Sequence, residues 1–113
     1  MSQITTHILD LASGSPAQNV PITLHLQQGD EWREIGSGTT NADGRIADLC
    51  QAGRVLDAGT YRMHFDTATY FLAAGGEVFY PWADVVFNIG AGGQHYHIPL
   101  LLSPYGYSTY RGS

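Results

Sequence analysis

Two histidines stand one residue apart at His95-Tyr96-His97, in a chain that holds five histidines in all. On a β-strand, side chains two residues apart share a face, so both imidazoles project together. With an unperturbed pKa of about 6.5, an imidazole takes or gives a proton near neutral pH. The same spacing suits a pair of metal ligands, with His7 as a candidate third. That signal is weak, because His-x-His occurs on many strands without metal and no cysteine or carboxylate stands close in sequence. Arg45 follows directly on Asn41-Ala42-Asp43-Gly44, a turn that fixes its base. A planar guanidinium held there suits a planar anion or a developing oxyanion. Plainer readings stand beside these: each histidine as an ordinary surface residue, and Arg45 as the partner of Asp43 or Asp48. Ser103, Ser108 and Ser113 raise the idea of a nucleophile, but no Gly-x-Ser-x-Gly elbow supports it.

These residues must be carried by strands. Ile4 to Asp10 alternates, with Ile4, Thr6 and Ile8 on one face and Thr5, His7 and Leu9 on the other. Ser13-Gly14-Ser15-Pro16 reads as a loop. Val20 to Gln27 alternates, and Pro21 is tolerable at its beginning or on an edge. After a turn at Gln28-Gly29-Asp30, Trp32 to Thr40 is a weaker strand, where Gly36 and Gly38 suggest a bulge or a close approach. The turn before Arg45 leads to a short strand, Ile46 to Leu49. A Gly- and Ala-rich loop spans 51–59, and Thr60 to Asp66 sets Tyr61, Met63 and Phe65 against Arg62 and His64. Asp66 or Thr67 caps one short helix to about Ala74, stopped by Gly75-Gly76. Asp84 to Ile89 follows Tyr80-Pro81, with Val85, Phe87 and Ile89 inward. His95 to Leu102 and Tyr107 to about Tyr110 are the last strands, joined through Ser103-Pro104-Tyr105-Gly106. Seven or eight short strands with frequent turn signals predict an all-β sandwich. By phase, His7, His95 and His97 lie on non-core faces. Pro99 and Leu101 share the face of His97, as at an interface or cleft. His25 and His64 read as surface residues.

The 113 residues fit one domain, 1–113, and 43% of them are hydrophobic, enough for a packed core. Only 13% are charged, about half the usual share, and all five basic residues are arginines. So little charge predicts that part of the surface is covered by another subunit. The net charge of −5 with no basic run argues against nucleic acid and against an anionic membrane. MSQITTHILD has neither the basic nor the apolar region of a signal peptide, no apolar run approaches membrane-spanning length, and Cys50 is the only cysteine. The expected compartment is the cytoplasm.

The last nineteen residues, His95 to Ser113, stay rich in aromatic and β-favouring side chains where a terminus usually frays into polar sequence. Together with Thr6-His7-Ile8-Leu9-Asp10 and Asn41-Ala42-Asp43-Gly44-Arg45, the stretches His95-Tyr96-His97-Ile98-Pro99-Leu100-Leu101-Leu102-Ser103 and Tyr107-Ser108-Thr109-Tyr110-Arg111-Gly112-Ser113 closely resemble the 5-hydroxyisourate hydrolase family. The resemblance runs the whole chain in order. Tyr-Arg-Gly-Ser is its most specific piece and separates these enzymes from transthyretin, a carrier of the same fold.

The resemblance implies a transthyretin-like β-sandwich of two four-stranded sheets with one short helix, assembled as a homotetramer with active sites between dimers. It implies opening of the N1–C6 cyclic amide of 5-hydroxyisourate to 2-oxo-4-hydroxy-4-carboxy-5-ureidoimidazoline, in urate degradation towards allantoin, with no metal and no other cofactor. It carries catalysis onto His7, Arg45 and His97, and substrate binding onto His7, Arg45, Tyr110, Arg111, Gly112 and Ser113. His97 is the expected general base, His7 the partner that orients substrate or water, and Arg45 the oxyanion and substrate binder. Two rivals are a transthyretin-like small-ligand carrier without catalysis and a plain β-sandwich interaction module. His7, Arg45, His97 and the terminal motif favour the enzyme.

Overall fold

The computed structural model describes residues 2–113. Among the described residues there are eight strands, most of them where apolar and polar side chains alternate. β1 (Ile4–Asp10) buries Ile4, Thr6 and Ile8 and leaves Thr5, His7 and Leu9 half-buried on its other face. β2 is only Ser15–Pro16. β3 (Pro21–Gln28) and β4 (Glu31–Thr39) make a hairpin over the two residues Gly29-Asp30, with Gly29 at φ 63°. β5 (Gly59–Phe65) buries Tyr61, Met63 and Phe65, as the alternation predicts. The helix α1 (Thr67–Ala73) starts where Asp66 accepts from the amide of Thr69 at 3.1 Å, and Gly75 at φ 77° follows its end. β6 (Ala83–Ile89), β7 (Tyr96–Ser103) and β8 (Gly106–Thr109) complete the order.

The strands form two four-stranded sheets, β2-β1-β7-β8 and β4-β3-β5-β6. Ile4, Ile8, Leu100 and Leu102 from the first meet Ile22, Leu24, Met63 and Phe65 from the second, all at most 1% exposed. Each such side chain contributes about 1.5–3 kcal/mol by leaving water. This sandwich agrees with the predicted class. The pair that matters for function is β1 and β7, which run parallel with Thr5 beside His97 and His7 beside Pro99. Among the described residues, no helix is long and apolar enough to cross a membrane.

Four local expectations change. Ile46 to Leu49 is not a strand. A Cβ built on Gly36 would stand 2.1 Å from the carbonyl oxygen of Leu49, and one on Gly38 would stand 3.1 Å from the Ile46 side chain. The segment therefore lies across the glycine-opened face of β4 rather than along an edge, where a ladder needs it. The bulge expected near Gly36 is present, with Ile35 as its extra residue. Ser15–Pro16, expected in a loop, pairs briefly with Leu9 and Asp10. His25 is not a free surface residue: it is half-buried opposite Arg62, and its Nδ1 has no hydrogen-bond partner among the described residues. Burial first, and then the Arg62 charge, push its pKa below 6.5. His64 is held by Asp84 at 2.6 Å. The last strand stops at Thr109, not Tyr110.

Candidate active site

His97 takes its position from the parallel register of β1 and β7. Thr5 lies beside it on the same outward face, and its hydroxyl bonds His97 Nδ1 at 2.8 Å. The same hydroxyl bonds Nε2 of His95 at 2.9 Å, from the residue just before β7. The two rings stack nearly parallel, with centroids 6.4 Å apart and 17° between planes. Burial, then the charges of Arg45, His95 and His7, hold the pKa of His97 below 6.5. At neutral pH its ring is therefore uncharged, the form that accepts a proton.

Arg45 is placed by the turn before it. Asn41 Oδ1 accepts from the amides of Asp43 at 2.9 Å and Arg45 at 3.1 Å. Gly44 adopts φ 73°, and its carbonyl accepts from the amide of Ile8 at 2.9 Å. A Cβ on Gly44 would stand 2.5 Å from the Ile8 carbonyl oxygen, so the residue must be glycine for conformation and for space. The turn thereby docks on β1, where Arg45 and His7 form an antiparallel bridge.

The chain end reaches the same place through a break in the ladder. Leu100 pairs with Thr109, so the register carried onward sets Pro99 opposite Tyr110. Proline has no N–H to donate. The ladder opens there, and the Thr109 hydroxyl takes the Pro99 carbonyl instead, at 2.7 Å. Pairing resumes in the same register at His97 and Gly112, whose amide donates to the His97 carbonyl at 2.8 Å. Within the gap, Arg111 lays its guanidinium over the Tyr96 ring at 4.6 Å and reaches Gln94 at 3.4 Å. Tyr110 is 56% exposed.

The result is one open cleft of about 510 Å³. Arg45 lines it from the turn after β4, and His97 and Ser113 line it from the last nineteen residues. Thr5, His95 and Asn41 line it too, with Ile46 and Ala47 as apolar wall. His7 sits opposite Arg45 in the bridge but does not line the cleft, and neither do Tyr110, Arg111 and Gly112. Among the described residues, no three His, Cys, Asp or Glu side chains are grouped to hold a metal ion. A neutral imidazole in one cleft with the guanidinium of a residue whose backbone the turn fixes is suited to base-assisted addition of water to a carbonyl, with the developing oxyanion on the cation. Thr5 was missed as a site residue because it read only as an outward β1 position; the parallel pairing that gives it to His97 has no local signal. Asn41 read only as a turn former.

The profile of the HIUase/Transthyretin family matches residues 4–112. A Caenorhabditis elegans protein named a probable 5-hydroxyisourate hydrolase is 49% identical over 112 residues, 99% of this chain and 82% of that protein. The solved 5-hydroxyisourate hydrolase of Klebsiella pneumoniae superposes with a TM-score of 0.83 at 41% identity, over all of both chains. The transthyretin of Sparus aurata superposes with a TM-score of 0.91 at 35% identity, over 99% of this chain and 97% of that one.

Proposed function

The chain belongs to the HIUase/transthyretin family, and on that premise we propose that it hydrolyses the N1–C6 amide of 5-hydroxyisourate, giving 2-oxo-4-hydroxy-4-carboxy-5-ureidoimidazoline. The backbone superposes well on a carrier and on a hydrolase alike, so the fold does not choose between them. Support for the enzyme comes from the higher identity to hydrolases and, above all, from one cleft that joins Arg45, His97 and Ser113.

In this reading His97 takes a proton from water while the water oxygen adds to C6. Arg45 binds the planar substrate and carries the negative charge that forms on the carbonyl oxygen. The C6–N1 bond then breaks, and the proton held on His97 passes to N1. His7 orients substrate or water and helps move the proton. The bridge that sets His7 opposite Arg45 supports that placing. Tyr110, Arg111, Gly112 and Ser113 shape and close the pocket, a role supported by the bridge of Gly112 to His97.

The functional assembly in this reading is a homotetramer in which clefts face each other between dimers, in the cytoplasm. The low charge fraction and the exposed Leu11 (53%) and Tyr110 (56%) support a covering subunit. The test generates 5-hydroxyisourate from urate with urate oxidase, adds this protein and follows the ultraviolet decay. Acceleration over the spontaneous reaction is expected. Decay at the spontaneous rate overturns the hydrolase.

A further inference from the structure

We propose that Thr5 is a positioning residue for His97: its hydroxyl, held by His95 on its other side, fixes the tautomer that leaves His97 Nε2 free to act as base. This role rests on the hydrolase reading above.

A threonine hydroxyl has one proton to give and lone pairs to accept with. Bonded to a ring nitrogen on each side, at 2.8 and 2.9 Å, it gives its proton to one histidine and accepts from the other. If His97 is to take a proton from water at Nε2, its own proton must sit on Nδ1, and Nδ1–H then donates to Thr5 Oγ1. Thr5 in turn donates to Nε2 of His95, which therefore carries its proton on Nδ1. Which nitrogen of a histidine holds the proton is set by the bond its other nitrogen makes. His97 is half-buried and His95 is exposed, and both line the cleft with Thr5 between them.

The clamp keeps the base in one form through the reaction. Nε2 takes a proton from water as the water oxygen adds to C6, and the ring becomes cationic with Nδ1–H still on Thr5. The C6–N1 bond breaks, Nε2 gives that proton to N1, and the ring returns to the same neutral Nδ1–H tautomer. The leaving nitrogen belongs to a urea and stays uncharged, and the new carboxylic acid loses its proton to solvent at the open cleft. No other component is needed for this balance.

Thr5→Val removes the hydroxyl at nearly constant shape and keeps a β-branched strand former. Thr5→Ser keeps the hydroxyl. The expected results are a kcat lower by about 10²-fold in Thr5→Val with KM little changed, and near-normal turnover in Thr5→Ser. Independently of turnover, nitrogen NMR of His97 should show the Nδ1–H tautomer in the wild type and its loss in Thr5→Val. Thermal transitions close to wild type certify that the variants fold. An inactive wild type whose NMR shows the expected tautomer removes the hydrolase but leaves the Thr5 clamp. An active wild type overturns the clamp alone if Thr5→Val matches Thr5→Ser, or if His97 carries its proton on Nε2.

Discussion

The amide of Gly112 donates to the carbonyl of His97 at 2.8 Å, and the bare α-carbon leaves room for the His97 ring: a Cβ there would stand 2.6 Å from Cδ2. A methyl group at 112 must turn the ring away from Thr5. Gly112→Ala should lower kcat by about 10²-fold, the effect of moving a reacting group by about an ångström. Gly112 lies at the chain end and outside the buried core, so the thermal midpoint should fall by no more than about 5 °C, roughly 1 kcal/mol for a domain of this size. Steady-state kinetics with a melting curve check both, and unchanged kcat shows that the ring has a second productive position.

Removing Tyr110 through Ser113 tests the same contact more coarsely. These residues add no side chain to the core, and the Leu100–Thr109 pairing precedes them. The truncated chain should keep its β-sheet circular dichroism and a cooperative melt. Its hydrolysis should fall by at least about 10²-fold, because the pocket loses a wall and His97 its backbone partner. Normal turnover by the folded truncation contradicts the role given to the chain end.

His97 and His7 are separable because only His97 lines the cleft. His97→Ala should lose about 10²–10⁴-fold in kcat, as expected for a missing general base. His7→Ala should keep more of kcat and lose more in affinity for a substrate analogue. Steady-state kinetics and analogue titration decide it; near-normal turnover in His97→Ala moves the base elsewhere.

A stability prediction concerns the helix. Tyr70 on α1 donates to Asp10 Oδ2 at 2.6 Å, and burial, with that bond, pushes its hydroxyl up to about 12. Asp10 ends β1 nearly buried, and its other oxygen accepts from the amides of Ala12 and Ser13. Tyr70→Phe leaves a carboxylate oxygen without its partner and should cost about 1–3 kcal/mol. Urea unfolding measures this, with turnover of the folded variant unchanged.

The fold was legible where side chains alternate. Ile4 to Asp10 was bounded to the residue, and Asp66 was one of two caps named for the only helix expected. Period two and cap chemistry are local, so local sequence carries them. Ile46 to Leu49 failed because its burial comes from distant glycines on β4, which let it cross a face. Arg45 was legible from its turn, since Asn41 and Gly44 act within five residues. Thr5 was not, because its meeting with His97 spans 92 residues and depends on a parallel register. Pro99 was seen as a residue on the histidine face, whereas its effect on the neighbouring strand, ending β8 at Thr109, needs the pairing partner to be known.

The depressed pKa of His97 has two pH consequences with opposite practical signs. Burial is the first cause and the Arg45 charge the second. The acid limb of kcat/KM, which reports the free enzyme, should therefore lie below 6.5, and activity should persist in mild acid where an ordinary histidine is already charged. Stability moves the other way. The unfolded chain binds the proton more tightly, so between 6.5 and the lower folded pKa the folded state loses free energy as pH falls. Arg45→Met removes a repelling charge but not the burial, so the His97 pKa should rise and still stay below 6.5. Because Arg45→Met also disables turnover, the check is the NMR titration of the His97 ring in both proteins. A midpoint that does not rise in the variant means the guanidinium does not act on that ring, and the pairing of base and cation in one cleft loses its electrostatic basis.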